Sequence, residues 1–342
     1  MNNKTTTNQT FCKSNSFKIH ADQNNCNPQP SNNCKIYCFF KKICCFYKSN
    51  KPVIAHVALN GVIGKDSKFS SGLNIENILP LLEKAFKTSN IKAVAITINS
   101  PGGSPVQSEL IYNAIRELSQ EKKIPVYTFA RDVAASGGYW LLLAGDEIYA
   151  HQASIIGSIG VIFSGFGFVD TIKKLGIERR IYTEGKNKAI LDPFMPEEQE
   201  NIAILKEAQR DIFEGFKELV SSRRAGKLKD GAGKIICNCT QEKYECANCE
   251  CGDKNFLDDK IFTGAFWSGR KAVELGLVDA IADMRSKMKE KFGEKVGIKN
   301  IDIKKGFIKS FFAEKSGLAL GQVVVEIVDK LEEKASFGRF GL

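Results

Sequence analysis

The stretch VAASGGYW, Val133 to Trp140, decides the fold of this chain. It follows an extended apolar run, Val126 to Ala130, and leads into a second apolar run that ends at Ala144. Ser136 stands between two alanines and two glycines, so a turn from a strand into a helix would present its hydroxyl to a cleft. Gly137 leaves the next backbone N–H without side-chain cover, which an oxyanion donor needs. Taken alone, tight packing at such a turn is the better explanation of these small residues, so the stretch needs supporting motifs.

A second motif, INSPGG, occupies Ile98 to Gly103 and ends an apolar run that begins at Ala93. The run predicts a strand buried on both faces, as in a parallel sheet. Asn, Ser, Pro and Gly then stop the strand before a helical pattern that begins near Pro105. A strand, a glycine turn and a helix in this order can direct backbone N–H groups at an anion, although a plain connecting turn has the same pattern.

A third motif, GKNKAILDPF, carries two lysines, Lys186 and Lys188, directly before the apolar residues 189–191. Loop lysines are usually only solvated, but an apolar neighbourhood can remove water from an ammonium group. A serine hydroxyl becomes a nucleophile when a base takes its proton, and a lysine is such a base only as a neutral amine. Because the usual pKa of a lysine is about 10.4, a water-poor setting must lower it by several units.

Five ordered strings together resemble one family: INSPGG, VAASGGY, GSIGV, GKNK with LDPF, and FWSGRKAVELGLVD. They are similar to the signal peptide peptidase A (SppA-like) serine peptidases, serine peptidase family 49, of the ClpP/crotonase superfamily. The resemblance runs from about Pro52 to Ala282. It implies an α/β fold with a repeated ββα spiral, a single catalytic core with N- and C-terminal extensions, and assembly into a homo-oligomeric ring.

The resemblance also implies a role for each site residue: Ser136 as nucleophile, Lys188 as general base, Ser158 as the hydrogen-bond partner that orients Lys188, and the N–H groups of Gly103 and Gly137 as the oxyanion hole. Lys186 competes for the role of base, but the family's lysine matches the second of the two. In this family the serine and the lysine can come from adjacent subunits, so assembly would then be required for activity.

The implied function is a serine endopeptidase that cleaves signal-peptide remnants or other unfolded, apolar peptides through an acyl-enzyme, without a catalytic cofactor. The chain has only three histidines, His20, His56 and His151. None stands where ClpP-like enzymes place theirs, which disfavours a Ser-His-Asp triad. Two alternatives stay open: a crotonase-like enzyme that binds acyl-CoA, and an inactive scaffold of the same fold.

A cysteine-rich insert at 227–257 interrupts the family pattern. It contains five cysteines within fifteen residues, Cys237, Cys239, Cys246, Cys249 and Cys251. Four thiolates suffice for a tetrahedral structural zinc site. A solvent-exposed, reduced loop explains the same residues, and both interpretations remain open.

Composition bounds the remaining expectations. The chain has 342 residues, 43% hydrophobic residues and a formal net charge of +10. No nucleic-acid motif accompanies the charge, so we interpret it as surface composition with attraction to anionic lipid, and expect no nucleic-acid partner. The absence of a signal-peptide pattern leads us to expect a cytoplasmic protein with peripheral membrane contact.

Three regions are expected along the chain. Residues 1–50 hold seven lysines, one acidic residue and six cysteines, and are predicted to form a flexible extension. Their apolar stretch, Ile36 to Tyr47, has twelve residues, whereas a bilayer-spanning helix needs about 20. Residues 51–285 form the predicted peptidase core, and 286–342 a lysine-rich helical tail with an apolar stripe at 323–331.

Hydrophobic periodicity predicts the elements of this core. Strands are expected at 53–63, 93–98, 147–150, 159–163 and 180–182. Helices are expected at 75–86, 105–118 and 169–175, followed by a long helix that Pro196 opens.

Overall fold

A mixed sheet of eight strands forms the centre of the molecule. The structure, a computed structural model, describes residues 51–64, 72–230, 232–236, 256–302 and 335–341. The described residues from 51 onward belong to one compact unit. The strands are β1 (Val53–Asn60), β2 (Ile91–Ser100), β3 (Val126–Ala135), β4 (Glu147–Ala150), β5 (Ile155–Gly157), β6 (Phe266–Ser268), β7 (Ala280–Ile281) and β8 (Gly297–Asn300).

The sheet order places β2 and β3 at the centre. The main path runs β6-β5-β3-β2-β1-β8, while β4 pairs with both β3 and β7. All strand pairs are parallel except β5 with β6. Because the carboxyl ends of parallel strands meet at one edge of the sheet, INSPGG at the end of β2 and Ser136 after β3 lie side by side.

Seven α-helices are described, together with one π-helical turn at Leu257–Ile261. The helices are α1 (Ile75–Phe86), α2 (Pro105–Lys122), α3 (Gly137–Leu142), α4 (Val169–Lys174), α5 (Gln199–Arg223), α6 (Gly269–Glu274) and α7 (Met284–Phe292). Helix α2 begins as its sequence requires, with Ser104 accepting from the amide of Gln107 and Pro105 in the first turn. Within the described ranges, no helix combines the length and the apolar character needed to cross a membrane.

The predicted α/β fold and most of its elements are confirmed. Residues 93–98 of β2 are all buried, as expected for a parallel strand covered on both faces. Strand β4 has the predicted bounds, and α1 and α2 occur where the periodicity placed them. The long helix begins at Gln199, three residues after Pro196.

Two strand predictions are wrong. We predicted a strand at 159–163, but the strand lies earlier, at β5 (Ile155–Gly157), and residues 159–163 follow it in an irregular conformation. Residues 180–182 are also irregular. No described strand lies beside either stretch to complete a hydrogen-bonded ladder, and their apolar residues therefore have no sheet to join.

The sheet also continues past residue 285, where we placed the end of the core. Helix α7 crosses that boundary, and β8 pairs in parallel with β1 from Val53 to His56. The core therefore extends to the strand at Gly297–Asn300. The expected extension at 1–50 and the expected stripe at 323–331 lie outside the described residues.

A buried ion pair joins the end of α5 to the turn before β7. The side chain of Arg224 is 2% exposed, and its Nη2 lies 3.1 Å from Asp279 Oδ1. Arg224 Nε also donates to the carbonyl of Gly276 at 2.7 Å, while Asp279 Oδ2 accepts from the amide of Ile148 at 2.8 Å. Burial raises the pKa of Asp279, but hydrogen bonds from Arg224 and Lys227 outweigh it and hold the pKa below its usual range.

We expect Asp279→Ala to lower the free energy of unfolding by about 3 to 5 kcal/mol, because it leaves Arg224 buried without a counter-charge. Lys227, whose side chain is 43% exposed, is the matched control, and Lys227→Ala should cost about 1 kcal/mol or less. Since the pKa of Asp279 is lowered by folding, the difference is full at neutral pH and shrinks as the pH falls below about 4. Urea unfolding at pH 7 and pH 3 measures both effects. An equal loss of unfolding free energy in the two variants would contradict the role of Asp279 as the counter-charge of Arg224.

Candidate active site

Ser136 lies at the tight turn between β3 and α3 in a strained backbone conformation. Its φ is 53° and its ψ is −122°, a region that residues with a side chain rarely adopt. Its amide donates to the carbonyl of Gly157 at 2.8 Å, and its own carbonyl accepts from the amide of Tyr139 at 2.9 Å. Such strain costs about 1 to 3 kcal/mol and persists only where surrounding bonds enforce it, as at a nucleophile elbow.

The glycine turn after β2 packs directly against Ser136. A Cβ placed on Gly102 would lie 2.8 Å from the Cβ of Ser136, and one on Gly103 would lie 2.1 Å from the carbonyl oxygen of Ile63. The two glycines also have φ of 109° and 147°. Both space and backbone conformation therefore require glycine here, which explains the GG of INSPGG.

Two backbone amides, those of Gly103 and Gly137, lie next to each other at the Ser136 turn. A Cβ placed on Gly137 would lie 3.4 Å from the amide nitrogen of Gly103, so the backbones of the two residues are adjacent. Within the described residues, neither N–H has an acceptor in the protein. Gly137 is also the first residue of α3, where amides point out of the helix. The pair is suited to hold an oxyanion formed at a carbonyl that Ser136 attacks.

Ser158 is buried beyond the strand that neighbours β3. It is 3% exposed, has a φ of 51°, and its amide donates to the carbonyl of Ala265 at 2.7 Å. Gly157, which precedes it, accepts the amide hydrogen bond of Ser136. The GSIGV turn is thus fixed to the Ser136 turn, and the role of Ser158 toward Lys188 stays a prediction.

Lys188 is not brought to Ser136 within one chain. Its side chain is exposed, and no hydrogen bond joins it to Ser136 or Ser158 among the described residues. The competing Lys186 pairs with Glu200 at 2.7 Å, and this hydrogen bond raises the pKa of Lys186. A raised pKa opposes the neutral amine that a base needs, so Lys186 is not set up as a base in the single chain.

Lys188 belongs to an arm, residues 161–198, in which no residue is buried. The two limbs of the arm bond to each other: the amide of Phe168 donates to the carbonyl of Pro193 at 2.6 Å, and Arg179 pairs with Asp192 at 2.9 Å. Its exposed large apolar side chains are Ile162, Phe163, Phe166, Phe168, Leu175, Ile177, Tyr182 and Met195. Exposed large apolar side chains in this number on one segment are typical of an interaction surface.

Sequence reasoning missed one residue that fixes the end of β3. The β2–β3 ladder is irregular between Ile98 and Ser100, and the side chain of Asn99 replaces the missing backbone contacts. Its Oδ1 accepts from the amide of Val133 at 3.1 Å, and its Nδ2 donates to Asp132 at 2.8 Å. An Asn just before Ser-Pro at a strand end was the available signal.

The other predicted residues divide into two groups. His56 bonds with Thr97 and Asn300 on the sheet, each at 2.9 Å, so its role is within the strands. His151 is exposed at the end of β4. His20 and the five insert cysteines lie outside the described residues, so the zinc interpretation stays a prediction.

Comparisons with known proteins show the family of this chain and support its fold. The family model described as Peptidase family S49 matches residues 118–233, which include Ser136, Ser158 and Lys188. The chain belongs to peptidase family S49. A Clp protease family model also matches residues 67–156, which include Gly103 and Ser136, and supports the ClpP/crotonase-like α/β fold.

Three relatives show how far the similarity extends. A Brucella abortus protein named "Na(+)/H(+) antiporter NhaA" is 42% identical over 79% of this chain and 34% of its own length. "Putative signal peptide peptidase SppA" of Enterococcus faecium is 31% identical over 68% of this chain and 60% of its own length. "Putative protease slr0021" of Synechocystis sp. is 30% identical over 69% of this chain and 72% of its own length. The S49 chain thus spans about a third of the first relative and three fifths of the second.

Proposed function

We propose that this S49 chain is a serine endopeptidase in which Ser136 attacks the peptide carbonyl and Lys188 removes the serine proton. The observation that carries the proposal is the strained Ser136 turn with the amides of Gly103 and Gly137 beside it. Attack would form an ester between Ser136 Oγ and the substrate acyl group, releasing the amine, and water would then hydrolyse the ester. The two amides would stabilise each tetrahedral oxyanion.

We further propose that Lys188 reaches Ser136 from a neighbouring copy of the chain. The arm that carries Lys188 exposes its apolar side chains and buries none of them in its own chain. Docking of the arm on a second copy would cover that surface and would also take Lys188 out of water, which a lysine base needs. Ser158, fixed beside Ser136, is the hydroxyl available to orient the arriving amine.

The proposed substrates are unfolded, apolar peptides such as signal-peptide remnants, since a site completed between subunits would be accessible to extended chains. We do not infer antiporter activity from the name of the Brucella relative, because the part of this chain that it matches includes the peptidase motifs. Incubation of the assembled protein with a synthetic signal peptide and with a folded protein, followed by mass spectrometry, tests this. Cleavage of the signal peptide alone is expected; failure to hydrolyse any peptide would overturn the proposal.

The arm provides a prediction about assembly. The Phe166 side chain is 80% exposed, so Phe166→Asp should change the stability of a single chain by only about 0.5 kcal/mol. If the arm docks on a neighbour, the same change should dissociate the oligomer and remove peptide hydrolysis together. Asp170→Asn, on the same arm, is the control. Sedimentation velocity and turnover should move in parallel, and an intact, active Phe166→Asp oligomer would contradict arm docking.

Gly137 provides a prediction about the oxyanion hole. A Cβ on Gly137 would lie 2.5 Å from Ser108 Oγ, so Gly137→Ala should displace the turn and lower kcat/KM by about a hundredfold or more. Adding Ser108→Ala removes the nearest clashing atom and should restore part of the activity. Equal activity of the single and double variants would show that the loss does not arise from this contact.

A further inference from the structure

Strand β3 contains a bulge just before the nucleophile turn. The β2–β3 ladder pairs Ile98 with Ala130 and next pairs Ser100 with Ala134, so it advances two residues along β2 and four along β3. The side chains of residues 131–132, inside the bulge, are exposed and add nothing to the core. Bulges shift the rest of a strand relative to its neighbour and are common next to active sites, where they redirect a side chain.

The bulge brings Ser136 level with the glycine turn. Extended by two residues, the register after the bulge sets Gly102 opposite Ser136, and a Cβ placed on Gly102 would lie 2.8 Å from the Cβ of Ser136. Without the two extra residues, Ser136 would be opposite Ser104, about 6.6 Å farther along the strand direction. The amides of Gly103 and Gly137 could then not lie side by side.

Two side chains hold the bulge, one from each neighbouring side of β3. On the β2 side, Asn99 Oδ1 accepts from the amide of Val133 at 3.1 Å, and Asn99 Nδ2 donates to Asp132 Oδ2 at 2.8 Å. On the β5 side, the buried hydroxyl of Ser154 donates to the carbonyl of Arg131. Because Asn99 belongs to β2, it connects the bulge directly to the strand that ends in the glycine turn.

We propose that Asn99 is a positioning residue that sets the register between the nucleophile and the oxyanion hole. It acts through the amide of Val133 and touches no reacting atom. Asp132 assists by accepting from Nδ2, which directs Oδ1 of the Asn99 amide toward Val133. The inference rests on the proposed function, which gives Ser136 and the two glycine amides their roles.

Exchange of the two polar side chains tests the pair in the full chain. Asn99→Asp sets a second carboxylate against Asp132, and we expect it to lower kcat for signal-peptide cleavage about tenfold or more while KM changes by less than about twofold. Adding Asp132→Asn supplies a donor again from the other side and should restore most of kcat. Asn113→Asp, at an exposed asparagine of α2, is the matched control and should leave kcat unchanged.

Hydrogen exchange tests the contact without depending on activity. In Asn99→Ala the amide of Val133 loses its acceptor and should exchange about fivefold faster or more, whereas the amides of β1 should keep their wild-type rates. The double variant Asn99→Asp, Asp132→Asn should exchange at Val133 as the wild-type chain does.

The outcomes distinguish this inference from the proposed function. If the wild-type chain cleaves peptides, but the double variant is as slow as Asn99→Asp or the losses appear in KM alone, Asn99 does not position the nucleophile. Unchanged exchange at Val133 in Asn99→Ala would likewise overturn the inference. If exchange responds as expected and the wild-type chain cleaves no peptide, the proposed function fails, and the role of Asn99 in fixing the register of the Ser136 turn stands.

Discussion

Ser136→Ala is expected to lower peptide hydrolysis by at least about a thousandfold while the chain stays folded and assembled. Without Oγ there is no nucleophile, and the acyl-enzyme cannot form. The amides of Gly103 and Gly137 would remain and give only the weak residual catalysis that an oxyanion hole provides alone. The rate of signal-peptide cleavage, followed by mass spectrometry, measures the loss.

Two matched variants distinguish loss of the nucleophile from loss of stability. Ser286→Ala, at an exposed serine in α7, should leave the rate unchanged. Ser136→Gly should be as inactive as Ser136→Ala but more stable by about 1 kcal/mol, because glycine adopts a φ of 53° without strain. Appreciable turnover by either Ser136 variant would show that another group is the nucleophile.

The part of the fold that carries the motifs could be predicted because the local sequence determines the conformation of its residues. The near-continuous apolar run Ala93 to Ile98, interrupted only by Thr97, predicts a strand buried on both faces, and INSPGG predicts the end of that strand and a tight turn. Ser136 among small residues requires the same kind of turn. Parallel pairing of β2 and β3 then brings both turns to one edge without further information.

The wrong predictions share a different cause. Residues 159–163 and 180–182 have β-forming composition, but a strand needs a neighbouring strand to pair with. Ile159 is buried in the core, whereas Ile162, Phe163 and Tyr182 are exposed in the single chain. Similarly, the sequence of α5 predicts an apolar stripe, yet only Phe216 of that stripe is buried. The residues of the stripe are Ile202, Leu205, Ile212, Phe216 and Leu219. An apolar pattern in the sequence predicts burial, but it does not distinguish burial in a core from burial in a subunit interface.

Long-range contacts could not be predicted from the sequence, for another reason. The contact of Arg339 with Ser158 joins residues 181 positions apart, and nothing in an Arg-Phe dipeptide near a chain end indicates a partner. The pairing of Arg224 with Asp279 spans 55 positions and likewise has no local signal. Such contacts emerge only once the sheet has fixed which loops are adjacent.

Mixing two inactive variants gives the second large effect expected of this protein. Ser136→Ala and Lys188→Ala should each be inactive when purified alone. If Lys188 serves the Ser136 of a neighbouring copy, subunits that are mixed, dissociated and reassembled will form some sites with an intact Ser136 from one variant and an intact Lys188 from the other. For random assembly of equal amounts, about a quarter of the sites are complete, so about a quarter of wild-type turnover should return.

The mixing result distinguishes the two arrangements of the dyad directly. A dyad within one chain leaves every mixed site lacking one residue, and turnover would stay at the level of the separate variants. Mixing Lys186→Ala with Ser136→Ala is the matched control, because Lys186 is held by Glu200 and its loss should leave Lys188 free to act. In that mixture turnover should come from chains that are already active alone, so reassembly should produce no gain beyond their share. The exposed position of Lys188 disagrees with a dyad inside one chain. It is expected if Lys188 acts on the Ser136 of a neighbouring subunit.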